Sequence, residues 1–519
     1  MITVRTVSGR AAGWLAGLGL VTTLVVGGAG EALAGDFMDT RLTWTFGDDD
    51  ILKDAGEVVP DSPKPGIGDR KGYELFMDNL NLKTKGRENL THIALYKKMD
   101  GFLPGVTTEA GMVVKLDLGA LAQNQNPKVT DVLMDDGSYL RLSWTWDKEN
   151  AAKHNVALTF FPFDTERMRV GYLWDISWGG GNIFSTRKAG PAPGFKVELN
   201  AGPANVFIGL KTAKVSQVVQ LGTQDTEEIT VQETNYGVLG GAGYDIFDIL
   251  RLDVSGGFFQ QGTFSFEGLI GSKVYTGGFS GRLTLHDGIA IQNSIDYMLY
   301  RNDPDVNVVD WWREKYEPGM FSWSASVEFN YLMQRLADNQ KFGTTKTQPA
   351  YAGAFQGKVK YGFLRAQLVA LMRNLEFILQ NVPSVTPFVA LPEVGISTSP
   401  EYFFAGTVDY YFESAHLMPY LTGGVQLPAT FKTDDPKTVQ VVRDQTRRDR
   451  LPQGYDMTPV YSVRLGVQWD LSEFMSLLAN VQIVRDENAT RLKIDSSGER
   501  REFQRPNQLG FNLMARARF

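Results

Sequence analysis

Hydrophobic and polar residues alternate along much of this 519-residue chain. In residues 460–470, VYSVRLGVQWD, apolar side chains occupy the odd positions from Tyr461 to Trp469, and polar side chains occupy most positions between them. A period of two places successive side chains on opposite faces of a β-strand. The same period predicts strands in YLRLSWTW, RMRVGYLWDISW, FKVELN, NVFIGLK, LRLDVSG, IAIQNSIDYML, FSWSASVEFNY and, at the end of the chain, QLGFNLMARARF.

The length of these runs and their aromatic residues favour a membrane sheet over a soluble one. Several runs cover 10–12 residues, and a tilted transmembrane strand needs about 9–11. Aromatic residues recur at both ends of the apolar faces, in the pairs Tyr461 and Trp469, Phe321 and Tyr331, and Tyr402 and Phe412. Such pairs are typical of the interfacial girdles of membrane barrels. Because hydrocarbon offers no partners to unpaired backbone groups, a sheet in a membrane must close on itself.

The predicted fold class is therefore all-β: a transmembrane, antiparallel, up-and-down β-barrel of about 18 strands, with 16 or 20 as alternatives. DTRLTWTF and YELFMDNLNLKT are further strand candidates that this count leaves open. Strand directions conflict when they are counted from the two chain ends, since the strand at 320–332 and the strand near 350–360 receive the same direction. Either an additional strand lies near 334–348, or 350–374 forms a single strand.

The connections predict which end of the barrel carries the loops. Tight connections are expected at 163–166, 285–289, 412–417 and 470–474, and long ones at 179–193, 301–318, 375–400, 429–457 and 487–507. Membrane barrels have short periplasmic turns and long external loops. The long connections are rich in charged residues and proline, which indicates solvated loops.

The N-terminus has the layout of a cleaved signal peptide. Arg5 and Arg10 precede an apolar run from Ala11 to about Gly28, and Ala32-Leu33-Ala34 gives an A-x-A cleavage site. Residues 1–34 are therefore predicted to be a signal peptide, and residues 35–519 a single barrel. The alternative is an N-terminal membrane anchor.

Composition excludes several kinds of chemistry. The chain has no cysteine, its four histidines form no i, i+4 pair, and its net charge is −7. We therefore expect no metal, no cofactor and no nucleic-acid partner. No G-x-S-x-G elbow is present, so no enzyme is predicted. Glycine-rich GVLGGAGYD (237–245) is interpreted as close strand packing, and FGDDD, with Asp48–Asp50, as a solvated loop rather than a calcium site.

The last strand, with Phe511, Leu513 and the terminal Phe519 on its apolar face, resembles the C-terminal signal of Gram-negative outer-membrane β-barrel proteins. This resemblance implies export to the outer membrane, contact with its lipid and lipopolysaccharide, and insertion by the barrel-assembly machinery, which reads the terminal aromatic strand. It names a broad, porin-like class and no subfamily.

Inward positions of the predicted barrel carry charges of both signs. By alternation they are Arg141, Asp175, Lys196, Glu198, Lys211, Arg251, Asp253, Arg282, Asp296, Glu328, Lys358, Lys360, Asp409, Arg464, Asp470, Arg516 and Arg518. They are predicted to line a pore, or else to neutralise one another across a wet interior. Three functions stay open: a channel for small hydrophilic solutes, an export channel for a polysaccharide of the alginate type, and a non-conducting structural or adhesive barrel.

Overall fold

A computed structural model describes residues 39–518 of the chain, except 49, 53–87, 119–128, 136, 167, 185–190, 222–226, 265–267, 290, 292–319, 381–387, 435–436, 444–447, 473 and 496–497. The predicted signal peptide, the candidate strand YELFMDNLNLKT, Asp296 and Phe519 lie outside the described residues. Within them, no helix is long and apolar enough to cross a membrane.

Eighteen of the described strands form one continuous wall. In chain order they are β1 Asp39–Asp48, β2 Glu88–Asp100, β3 Val106–Asp117, β5 Tyr139–Thr145, β6 His154–Phe161, β7 Gly194–Ala201, β8 Ala204–Leu221, β9 Glu227–Phe247, β10 Leu250–Thr263, β11 Lys273–Asp287, β12 Phe321–Ala337, β13 Thr345–Tyr361, β14 Leu364–Arg373, β16 Glu401–Tyr410, β17 Leu417–Leu427, β21 Val460–Asp470, β22 Met475–Arg485 and β25 Asn507–Arg518.

The remaining elements lie between wall strands. They are α1 Val129–Val132, β4 Leu133–Asp135, α2 Leu375–Gln380, β15 Ile396–Ser399, β18 Ala429–Asp434, β19 Lys437–Val442, β20 Arg448–Arg450, β23 Thr490–Asp495 and β24 Gly498–Phe503. Three short 3₁₀ helices lie at Trp174–Ile176, Gly181–Ile183 and Glu413–Ala415.

The wall closes into a barrel. Each wall strand pairs with the wall strands before and after it, and β1 pairs antiparallel with β25, Leu42 lying opposite Ala517. No edge strand is therefore left along this wall, as a hydrocarbon environment requires. The prediction of an antiparallel up-and-down barrel of 18 strands is confirmed, and DTRLTWTF is one of its strands.

The alternating pattern separates an apolar outer surface from a polar inner one. On β10, Leu252 and Val254 are 43% and 49% exposed, whereas Arg251 and Asp253 are 4% and 0% exposed. Exposed aromatic rings recur toward both ends of the outer surface: Tyr236, Phe258, Tyr402 and Tyr461 toward one end, and Tyr244, Phe321, Tyr410 and Trp469 toward the other. Ten residues of a tilted strand span about 25 Å, the height of the apolar band of a membrane barrel. The outer surface therefore matches a bilayer.

The two ends of the barrel differ in their connections. β1 begins and β25 finishes at one end, which we call the terminal end. The connections there are short, among them 202–203, 248–249 and 362–363, except for the chain 288–320. The opposite end, the loop end, carries the long connections 162–193, 374–400, 428–459 and 486–506. The tight turns predicted at 412–417 and 470–474 are confirmed.

The long connection 288–320 explains why strand directions counted from the two chain ends conflict. It joins the directly paired β11 and β12 at the terminal end, so the predicted tight turn at 285–289 and a further wall strand after it are wrong. Most of IAIQNSIDYML lies outside the described residues. Both proposed solutions are also wrong, since 334–348 holds the end of β12, a turn and the start of β13, and 345–373 forms two strands. The length of a connection alone therefore does not indicate at which end of the barrel it lies.

RMRVGYLWDISW is not a wall strand, and 163–166 is not a tight turn between strands. Residues 162–166 and 168–184, which we call the lumen segment, leave the wall after β6 and fold inside the barrel. The regular structure of these residues is two 3₁₀ turns and a bridge between Val170 and Trp178. Val170, Ile176 and Trp178 are fully buried. The apolar side chains of the segment pack on other protein groups rather than on lipid.

Candidate functional site

The lumen segment is bound to the wall through its backbone by a carboxylate. Glu328 on β12 accepts hydrogen bonds from the N–H groups of Tyr172 at 2.9 Å and Leu173 at 2.7 Å. The wall residues Asn330 and Ser280 donate to the same carboxylate at 2.9 and 3.2 Å. Successive backbone N–H groups form a concavity that binds anions. An inward carboxylate thus fixes the middle of the segment.

An ammonium group binds the segment at a second place. Lys211 on β8 is 1% exposed, and its Nζ donates to the carbonyl oxygens of Met168 at 2.7 Å, Thr165 at 3.3 Å and Gly179. These carbonyls lie on both limbs of the segment, so one charge joins them. Because carbonyl oxygens offset the cost of burying the ammonium only while they stay in place, the contact fixes the segment's position.

Glycines in the wall make room for the segment's side chains. A β-carbon added to Gly278 would collide with the Tyr331 carbonyl oxygen and lie 3.1 Å from Cζ2 of Trp178. One added to Gly257 would lie 2.7 Å from the Phe259 ring and 3.1 Å from Cγ2 of Val170. Trp178 meets the wall ring of Phe259 edge to face at 5.6 Å. A β-carbon on Gly237 would collide with that ring. GVLGGAGYD indeed lies within β9, and its first glycine allows this close packing.

The segment also carries charged and polar groups of its own. Arg169 donates to Oγ and O of Ser177, both at 2.8 Å, pairs with Glu166, and lies 4.8 Å from the ring of Trp174. These contacts bridge the two limbs of the segment. Trp174 is partly exposed, whereas Tyr172, Leu173 and Ser177 are buried.

Tyr172 lies between the segment and the charged wall. The Arg282 guanidinium lies 4.3 Å from its ring. Burial raises the pKa of the Tyr172 phenol, and the charge of Asp253 raises it further. The phenol therefore stays protonated.

The predicted inward charges beside the segment pair with one another. Arg251 bonds to Asp253 at 2.9 Å and to Asp245 at 2.6 Å, and Arg282 bonds to Asp253 at 2.7 Å. On the neighbouring strands, Glu198 pairs with Lys196 at 2.7 Å and with Arg141 at 3.7 Å. Asp175, in contrast, lies on the lumen segment, and Arg373 reaches its carbonyl oxygen at 3.4 Å.

The inward charges on β13 to β25 are mostly basic. Arg365 and Asp409 form a fully buried pair at 3.1 Å, and Arg464 donates to Gln482 at 2.7 and 3.1 Å. Lys358 and Arg464 are partly exposed, whereas Lys360 and Arg516 are buried. Asp470 is partly exposed at the terminal end of β21. Arg518 ends β25, and its side chain lies outside the described residues.

The sequence missed several residues of this interior. Arg365, Arg373 and Glu401 face inward, and Arg373 bonds to Glu401 at 2.5 Å. Alternation in LRAQLVALMR and EYFFAGTVDY was a sufficient signal for all three. No signal identified the backbone contacts of Glu328 and Lys211, because these depend on where the lumen segment folds.

Asp48 and Asp50 of FGDDD are engaged by neighbouring donors: Asp48 accepts a hydrogen bond from the Asp50 N–H at 3.1 Å. Asp50 pairs with Arg505 at 3.1 Å and accepts a hydrogen bond from the Leu509 N–H at 3.3 Å. These contacts use carboxylate oxygens that a calcium ion would need. Over the described residues, no cluster of three or more His, Asp or Glu side chains suits a metal.

The last strand lies where the barrel closes. Phe511 and Leu513 are on the outer face of β25, opposite Asp48 and Phe46 of β1. The rings of Phe46 and Phe511 lie 5.8 Å apart. The side chains of Phe511 and Leu513 thus belong to the lipid-facing side of the seam.

A closed barrel with an apolar outside, a polar inside and an inward-folded segment defines a transmembrane β-barrel. The chain is similar in fold to OccK8 (OprE) of Pseudomonas aeruginosa (TM-score 0.43, 7% identity), OccAB1 of Acinetobacter baumannii (0.44, 9%) and a BenF-like porin of Pseudomonas fluorescens (0.43, 9%). These alignments cover 93% of this chain and 97%, 96% and 98% of the others. No family model and no curated protein matches the chain.

Proposed function

We propose that this protein is an outer-membrane channel that passes small hydrophilic solutes, and that the lumen segment sets the width of the pore. One observation carries the proposal: a closed wall of 18 strands turns polar side chains inward and apolar ones outward. A barrel of this size has more interior than its own side chains fill. The residues predicted to line the pore are proposed to contact the solute where they are partly exposed, as Lys358 and Arg464 are.

The resemblance of the last strand supports placement in the outer membrane of a Gram-negative bacterium after cleavage at residue 34. In that orientation the terminal end faces the periplasm and the loop end faces outward. Lipid and lipopolysaccharide contact the apolar band, and the barrel-assembly machinery is the partner during insertion.

Planar-bilayer recording of the purified mature chain tests the channel directly. Discrete conductance steps in potassium chloride, with weak selectivity between the two ions, are the expected result. A protein that inserts, shows heat-modifiable mobility on gels and yet stays silent would contradict the proposal and favour a non-conducting barrel.

Export of an anionic polysaccharide is the second candidate, and the inward charge on β13 to β25 favours it. In the described bilayer-spanning parts of β13 to β25, inward basic residues outnumber acidic ones; they are Lys358, Lys360, Arg365, Arg373, Arg464 and Arg516 against Glu401, Asp409 and Asp470. Block of the current by an acidic polysaccharide, and not by a neutral one of equal length, would support this candidate.

A further inference from the structure

The contact between Glu328 and the lumen segment has the chemistry of an anion site that the protein fills itself. Gly171 has φ +106°, and the next two residues, Tyr172 and Leu173, direct their N–H groups at the two oxygens of one carboxylate. A β-carbon on Gly171 would lie 2.9 Å from Oε1 of Glu328. Glycine therefore allows both the backbone conformation and the close approach.

Glu328 is 4% exposed, and donors bind its carboxylate from two sides. Two donors belong to the lumen segment, and Asn330 and Ser280 belong to the wall. Because hydrogen bonds to a charged acceptor are about twice as strong as neutral ones, this group joins the segment to the wall more strongly than a neutral side chain would.

We infer that Glu328 is the positioning residue of the channel: its carboxylate, seated in the N–H groups of Tyr172 and Leu173, holds the lumen segment across the pore and so fixes the conductance. This inference rests on the proposed channel function. The same N–H groups of Tyr172 and Leu173 bind a free carboxylate ion once the Glu328 side chain is removed.

The variant Glu328→Ala tests both statements. Alanine removes Cγ, Cδ and both oxygens, the heavy atoms of one acetate ion. We expect larger conductance steps in Glu328→Ala than in the natural protein, since the segment loses its anchor. Added acetate should bring the conductance back toward the natural value, while acetamide, which has the same shape and no charge, should not.

Glu198→Ala is the matched control. Glu198 is an inward, largely buried carboxylate whose partners Lys196, Arg141 and Asn200 all belong to the wall. We expect the conductance of Glu198→Ala to be the same with and without added acetate. If Glu328→Ala folds poorly, Glu328→Gln keeps the volume and one acceptor oxygen and should show a smaller change in the same direction.

A second measurement separates this inference from the channel itself. Limited proteolysis of the folded barrel should cut the lumen segment faster in Glu328→Ala, and acetate should slow the cut, whether or not the protein conducts. A silent natural protein would remove the channel function alone. Unchanged proteolysis and conductance in Glu328→Ala, or no effect of acetate on either, would overturn the inference.

Discussion

Two buried charges in this barrel, those of Lys211 and Glu328, bind backbone groups of the lumen segment, whereas others, such as Arg365 and Asp409, pair with each other. Lys211 is bonded to three carbonyl oxygens of the lumen segment, and Glu328 to two of its N–H groups. Removing one partner of such a contact leaves the other groups buried and unpaired, which costs about 1–3 kcal/mol for each. The position of the segment should therefore be sensitive to these two side chains.

Replacing Lys211 by methionine should loosen the lumen segment. Methionine keeps an unbranched side chain, one heavy atom shorter, and removes the three donors, so both limbs of the segment lose this contact with the wall. We expect faster proteolysis of residues 162–184 and larger conductance steps. Lys196→Met is the control, because Lys196 is equally buried but pairs with the wall residue Glu198. Equal effects of the two variants would contradict the conclusion that Lys211 holds the lumen segment in place.

At the scale of the element, each wall strand has one face for lipid and one for the lumen. Leu465 on β21 is 61% exposed on the outer face. Asn480 on the paired strand β22 faces inward and is partly exposed. The two strands pair directly, and Leu465 and Asn480 differ in whether they face hydrocarbon or the lumen.

Leu465→Arg and Asn480→Arg should therefore differ in stability. A charge on the lipid face near the middle of the bilayer costs about 2–4 kcal/mol, whereas lumen positions tolerate one. Urea titration of folding into lipid vesicles should show the loss only for Leu465→Arg. Equal losses would mean that the outer surface of β21 does not face lipid.

The last strand provides the second prediction about elements. Deleting Phe519 removes the terminal ring from a strand that closes the barrel between β22 and β1. We expect less inserted protein and less of the heat-modifiable band on gels. Phe519→Trp keeps an aromatic terminus and should insert normally; unchanged insertion after the deletion would contradict the assembly signal.

For the whole molecule, the inward charges are distributed unevenly around the wall. On β5 to β11 they form pairs such as Arg251 with Asp253 and Lys196 with Glu198. Along β13 to β25, basic side chains are in excess, and Lys358 and Arg464 are partly exposed. Solutes should therefore pass along Lys358 and Arg464, in a weakly positive field.

Replacing Lys358 and Arg464 together by glutamate tests this prediction. The reversal potential in a potassium chloride gradient should shift toward cation preference, since two positive charges become negative. Arg485→Glu is the control, because Arg485 lies at the loop end and is strongly exposed beside Glu487. A shift of equal size in the control would place the selective field at the mouth rather than along the wall.

The sequence by itself determined most of the wall. Alternation in segments such as 460–470 and 321–331 assigned the strands, their lipid-facing sides and the inward charges Arg251, Asp253 and Glu328, because a period of two is a local property of extended backbone. It also predicted the number of strands.

Only the tertiary structure decided what fills the interior. RMRVGYLWDISW alternates as well as a wall strand does, yet it folds into the lumen. Lys211 and Glu328 bind it there, and the absence of a β-carbon at Gly257 and Gly278 leaves room for its side chains. The contacts that Lys211 and Glu328 make with it join residues 43 to 156 positions apart along the chain. A local pattern states whether a segment has an apolar face, whereas contacts distant in sequence decide whether that face meets lipid or protein.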